Sequence, residues 1–172
     1  MLTGDMLRRS AERFPQKPAI LWDDQSLSYS ELDRAANQLA NALIAKGLTK
    51  GAKVGIISRN RTEYGIAFFG VARSGAVIVN VSVLYAPEEL AYVLAKADIE
   101  LLFYEDMFAD KVEAVRAKLP KLKRTVRIGG DGEDAFRGLY ADAPASLPEI
   151  EINEDDPFCM TYTGGTTGRP KG

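Results

Sequence analysis

Three largely apolar runs, at residues 54–57, 77–81 and 99–104, broken only by Asn80 and Glu100, alternate with stretches whose apolar residues recur every three or four positions. A short run without polar alternation suits a strand covered on both faces. The helical patterns between the runs supply that cover, because parallel strands need crossovers and right-handed crossovers place helices on the sheet faces. The chain therefore reads as α/β, a mostly parallel sheet with helices on both faces. Ligands of such sheets bind outside the carboxyl ends of the strands.

The remaining segments fit that frame. Residues 5–14 read as a helix stopped by Pro15. Residues 19–22 and 27–29 flank the polar turn Asp23-Asp24-Gln25, as in a small β-hairpin. Ser28 and Glu31 have capping-box spacing, Leu27 and Leu32 are placed as a hydrophobic staple, and Ser30 is a competing cap. Leu32, Ala35, Ala36, Leu39 and Leu43 then recur at helical spacing up to Gly47. Asn60 is placed to cap a helix running to Ser74, and Pro87, Glu88 and Glu89 open another. Phe108, Val112, Val115 and Leu119 mark a further helix ended by Pro120. Val126 and Ile128 alternate with charged residues in a strand nearer an edge. Residues 129–156 are loop-rich and acidic with one short helix near 136–140, and residues 157–163 form the last strand.

Composition removes several function classes. The chain has no histidine, which excludes Ser-His and Cys-His catalysis and His-containing zinc sites within it. A net charge of −2 gives no electrostatic footprint for nucleic acid. No stretch approaches the roughly 20 apolar residues of a membrane span, and the N-terminus carries charges where a signal peptide needs an apolar run. Cys159 is the single cysteine and reads as a small core residue. The expectation is a soluble, cytoplasmic protein. Glu151, Glu154, Asp155 and Asp156 read as a solvated acidic linker rather than a metal site. Lys118, Lys121, Lys123, Arg124 and Arg127 read as a solvated basic face.

Residues 163–172, after the last strand, hold the most specific signal. Gly164, Gly165 and Gly168 let the backbone approach a ligand closely, and successive N–H groups in such a turn can cradle an anion. Thr163, Thr166 and Thr167 add hydroxyls, and Lys171 adds a positive charge. This is a phosphate-binding composition, but it is not a Walker A loop, because no Gly-Lys-Ser/Thr follows the required gap.

The order Tyr162-Thr163-Gly164-Gly165-Thr166-Thr167-Gly168-Arg169-Pro170-Lys171-Gly172 resembles the signature loop of the adenylate-forming superfamily, Tyr-Thr-Ser-Gly-Thr-Thr-Gly-x-Pro-Lys-Gly. That superfamily includes acyl-CoA synthetases, amino-acid adenylation domains and beetle luciferases. Gly164 departs from the usual Ser, so the Ser role is not carried over. Leu27-Ser28-Tyr29-Ser30-Glu31-Leu32 is similar to the family's segment at the first long helix. Residues 75–85 with Pro87-Glu88-Glu89-Leu90 resemble its second core motif. The Asn80 form followed by Leu84, Tyr85 and Pro87 looks more like fatty-acyl-CoA synthetases than amino-acid-activating domains.

The resemblance implies an ATP-dependent, AMP-forming ligase that activates a carboxylic acid, expected to be a fatty acid, as acyl-AMP and transfers it to coenzyme A. It implies that Thr163, Gly164, Gly165, Thr166, Thr167, Gly168 and Lys171 grip the β- and γ-phosphates of ATP, with Mg²⁺ as a further cofactor. No catalytic or metal-ligating residue is expected within these 172 residues. Residues 1–172 read as the N-terminal part of an AMP-binding domain whose other motifs lie downstream. The chain alone is expected to be inactive and to self-associate. An amino-acid-adenylating or luciferase-type enzyme, or a non-catalytic α/β interaction module, stays open as an alternative.

Overall fold

The computed structural model describes residues 2–130 and 135–162 of the chain. Helix α1 (Thr3–Arg13) stops ahead of Pro15. Strands β1 (Pro18–Trp22) and β2 (Gln25–Ser28) pair antiparallel around Asp23 and Asp24. Asp23 takes a φ of 50°, which a short polar side chain tolerates. Helix α2 (Tyr29–Ala45) begins as its sequence dictates. The Ser28 hydroxyl accepts from Glu31 N–H at 3.3 Å, and the Glu31 carboxylate accepts from Ser28 N–H at 2.8 Å. Ser30 lies inside the helix, and Leu27 and Leu32 both join the core.

Five strands form the main sheet: β3 (Lys53–Ile57), β4 (Val77–Asn80), β5 (Leu101–Glu105), β6 (Arg124–Ile128) and β7 (Cys159–Thr161). Their order is β6-β5-β3-β4-β7 and every pairing is parallel. Helix α3 (Thr62–Arg73) links β3 to β4, and α4 (Pro87–Lys96) links β4 to β5. A 3-10 turn (Asp106–Phe108) and α5 (Ala109–Arg116) lead to β6, and α6 (Phe136–Tyr140) follows it.

Side chains of each strand alternate between the two faces. Val54, Ile56, Ile78, Leu101, Phe103, Val126 and Ile128 pack with α1, α2, α3 and α6. Ile57, Val79 and Leu102 pack with α4 and α5. The strands are apolar on both sides because both faces of the sheet are covered. Arg73, at the end of α3, is buried and ties three helices together. It donates to Asp33 Oδ1 of α2 at 2.5 Å, to Asn37 Oδ1 at 2.8 Å and to the Gly4 carbonyl of α1 at 2.9 Å.

Three expectations need correction. Asn60 does not cap α3; Arg61 stands at the N-cap, and its guanidinium, a donor only, cannot accept the first helix N–H groups and pairs with Glu63 and Glu105 instead. Leu119 is buried but lies outside α5. The bonds Lys118 N–H to Val115 and Leu119 N–H to Arg116 span three residues, so the chain has tightened out of α geometry. The last strand covers Cys159–Thr161, the three residues that pair with Ile78, Val79 and Asn80, rather than 157–163.

Candidate functional site

In this sheet every strand points the same way, so the segments leaving β3, β4, β5 and β7 emerge together at one end. The helices after β3 and β5 go to opposite faces, which opens the crevice where ligands of such folds sit. Three side-chain groups build this end.

Glu105, the last residue of β5, anchors the first. It is 2% exposed. Arg59, in the turn after β3, donates Nη2–H to Oε1 at 2.6 Å and its backbone N–H to Oε2 at 3.0 Å. Arg61 adds an Nη1–H bond to Oε1 at 3.2 Å and pairs with Glu63. Burial pushes the Glu105 carboxyl up, but the bonds from Arg59 and Arg61 outweigh it and hold it at about 2. Two guanidinium groups face two carboxylates, so the cluster carries no net charge. It fixes the turn after β3 against β5, and its balanced charge gives it little pull on a phosphate.

The second group joins α3, β4 and β7. Tyr64 donates O–H to Asn80 Oδ1 at 2.7 Å, and Asn80 Nδ2–H reaches Cys159 Sγ at 3.2 Å. Burial raises the Tyr64 phenol, which keeps its proton for this bond. Asn80, quoted above only as part of a motif, thus braces the strand that feeds the Gly/Thr segment. Cys159 is half-buried and packs on the edge of the core.

The third group lies on the other face. Tyr85, in the turn after β4, donates O–H to the Tyr162 carbonyl at 3.4 Å. Both rings pack on the apolar cluster with Val83 and Met160. Tyr162 immediately precedes the expected site residues. Thr163, Gly164, Gly165, Thr166, Thr167, Gly168 and Lys171 lie outside the described residues.

A cavity of about 430 Å³ lies elsewhere, between α1, the end of α3 and residues 147–158. It sits at the amino end of the strands, and Asp5, Glu151, Glu154 and Asp156 line it. That charge is wrong for a triphosphate. Among the described residues no group of carboxylate and thiol side chains is arranged to hold a metal ion, and no helix is long and apolar enough to cross a membrane.

The sequence reasoning missed Arg59, Arg61, Glu105 and Tyr64. The one signal for Glu105 was a charged residue closing an otherwise apolar strand. Its arginine partners, 46 and 44 positions away, left no local pattern.

Comparison with known proteins fits this geometry. A medium/long-chain fatty acid–CoA and 3-oxocholest-4-en-26-oate–CoA ligase of Mycobacterium tuberculosis is 36% identical over 98% of the chain and 32% of its own length. The chain thus spans about a third of the length of the curated relatives it matches. An anthranilate CoA ligase solved with anthranoyl-AMP superposes with a TM-score of 0.92 at 29% identity, over 99% of this chain and 33% of that one. The crystal structure of the N-terminal domain of FACL13 from Mycobacterium tuberculosis, solved with an inhibitor, gives a TM-score of 0.89 at 28% identity, over 99% and 43%. The model of the AMP-binding enzyme family matches residues 7–172, from within α1 through the Gly/Thr segment. With a family match over nearly the whole chain and a shared fold, this chain belongs to the AMP-binding enzyme family.

Proposed function

We propose that the chain is the N-terminal part of an ATP-dependent, AMP-forming ligase that activates a fatty acid and transfers it to coenzyme A. The observation that carries this reading is the family match through Gly172, which includes the Gly/Thr segment leaving the carboxyl end of β7. The fatty-acid preference draws support from the relative with 36% identity.

In the first step a carboxylate oxygen of the acid attacks the α-phosphorus of ATP. The bond from that phosphorus to the bridging oxygen breaks, and pyrophosphate leaves. The negative charge growing on the leaving group must be stabilised by donors already in place. In this proposal the backbone N–H groups of Gly164, Gly165 and Gly168 supply such donors. Thr163, Thr166 and Thr167 add hydroxyls, and Lys171 adds a full charge. Mg²⁺ would accompany the triphosphate as its counter-ion; none of the described residues is assigned to it. In the second step the thiol of coenzyme A attacks the acyl carbonyl and AMP leaves. This chain supplies positioning and electrostatics and no nucleophile. The cytoplasmic setting expected from the sequence belongs to the same proposal.

The test uses the longer protein that contains this chain, with ATP, Mg²⁺ and a panel of fatty acids, aromatic acids and amino acids, with and without coenzyme A. Fatty-acid-dependent release of pyrophosphate and AMP is expected, with acyl-CoA formed when coenzyme A is present. Formation of ADP and phosphate would contradict the reaction. Adenylate formation with amino acids alone would contradict the substrate.

A further inference from the structure

Lys111, on α5, makes an unusual choice of partners. Its ammonium donates to the carbonyls of Val83 and Tyr85, both at 3.0 Å. It also lies 5.7 Å from the centre of the Phe108 ring. Its partners here are backbone carbonyls and a ring rather than a carboxylate. The two carbonyls flank Leu84, at the exposed tip of the turn between β4 and α4. The turn's own closures are weaker, Leu84 N–H to Ser82 Oγ at 3.3 Å and Tyr85 N–H to the Ser82 carbonyl at 3.4 Å. The charge-assisted pair from Lys111 is therefore what fixes the Val83–Leu84 and Tyr85–Ala86 peptide planes, on either side of the Leu84–Tyr85 peptide. With those planes fixed, Val83 and Tyr85 point inward, onto the apolar cluster they share with Met160 and Tyr162. Tyr85 then meets the Tyr162 carbonyl, one residue before Thr163.

We propose that Lys111 is a positioning residue for the nucleotide site. It holds the turn between β4 and α4 and, through Tyr85, sets the position of Tyr162, the residue that precedes the Gly/Thr segment in the sequence. This rests on the function proposed above. Residues 82, 84 and 86 of the turn are exposed, whereas Val112 and Val115 on α5 are buried in the apolar cluster. Loss of the ammonium should thus loosen the turn and leave the core of α4 and α5 packed.

The test compares Lys111→Met, which keeps the apolar stem, with Lys111→Arg, Tyr85→Phe and the exposed control Lys118→Met, all in the longer protein. Amide hydrogen exchange is read over residues 82–86 and 160–172, together with steady-state pyrophosphate release. Lys111→Met should exchange faster in both segments and lower kcat/KM for ATP about tenfold, the scale of a lost charge-assisted hydrogen bond, with KM for the fatty acid unmoved. Lys111→Arg should recover most of the loss. Tyr85→Phe should speed exchange at 160–172 and not at 82–86. Unchanged exchange at 160–172 in Lys111→Met, or exchange raised uniformly along the chain, would overturn the proposal. So would a kcat/KM for ATP within twofold of wild type. A wild-type protein that releases no pyrophosphate would reject the reaction instead, and the exchange measurement would still decide whether Lys111 governs residues 160–172.

Discussion

Glu105 illustrates how a single buried carboxylate can hold one end of this sheet. Two guanidinium groups and a backbone N–H converge on it, and it is ionised well below the ordinary carboxylate range. A group whose folded pKa is depressed stabilises the fold above its unfolded value and loses that contribution as pH falls through the folded value. The window here runs from about 4.5, the ordinary value, down to about 2. Glu105→Gln should therefore lower unfolding free energy near neutral pH by about 1.5–3 kcal/mol, since it removes the charge from the bonds that Arg59 and Arg61 make to a buried carboxylate. The difference from wild type should shrink steadily through that acid window, as followed by urea unfolding at several pH values. A pH-independent difference would assign the loss to packing rather than charge. The Ser28–Glu31 cap could be read directly from the sequence because its partners are three residues apart. The Glu105 cluster could not, because its partners meet only once β3 and β5 are paired.

Between elements, α3 packs tightly against α2 at Gly70. A Cβ there would stand 2.7 Å from Leu39 Cδ2 and 2.9 Å from Leu39 Cβ. Leu39 is fully buried and cannot swing away. Ala normally favours a helix over Gly by about 1 kcal/mol, but overpacking of a filled core costs about 1–3 kcal/mol. Gly70→Ala is expected to be net destabilising, and thermal unfolding of the variant beside Gly70→Ser checks the sign. A raised melting temperature in Gly70→Ala would show that the two helices can separate without cost. Periodicity located the helices and the apolar runs located β3, β4 and β5, because both signals are carried by neighbouring residues. It placed the starts of α3 and β7 less well. Arg61 replaces Asn60 at the N-cap for the sake of a contact with Glu105, and β7 is only as long as the β4 segment it pairs with. In each case a tertiary partner decided the boundary.

In the whole molecule, β6 and β7 stand at the two margins of the sheet. β6 has one bridge on its outer side, Arg127 with Ala135, and charged residues along its length. β7 is short, and the large apolar side chains Leu147 and Phe158 are exposed in the segment that leads to it. A poorly guarded edge beside exposed apolar groups invites pairing with another chain. The 172-residue chain should thus show concentration-dependent association in sedimentation velocity, reduced by Phe158→Ser. A monomer at every concentration would mean that this margin is already satisfied. The fold class followed from the sequence because the pattern of runs dictates a parallel sheet. The side-chain braces at the carboxyl ends of the strands, from Tyr64, Lys111 and Glu105, became visible only once the strands were in order.

The proposed reaction depends on the grip of the Gly/Thr segment on the leaving group. Carboxylate-dependent exchange of labelled pyrophosphate into ATP, measured in the longer protein with wild-type Lys171 and with Lys171→Ala, addresses that grip. A charge-assisted contact to pyrophosphate implies about a ten- to hundredfold loss of exchange rate in Lys171→Ala, with little change in the concentration of acid needed for half-maximal rate. Equal exchange rates in the two proteins would contradict the role given to Lys171 and with it the proposed triphosphate site.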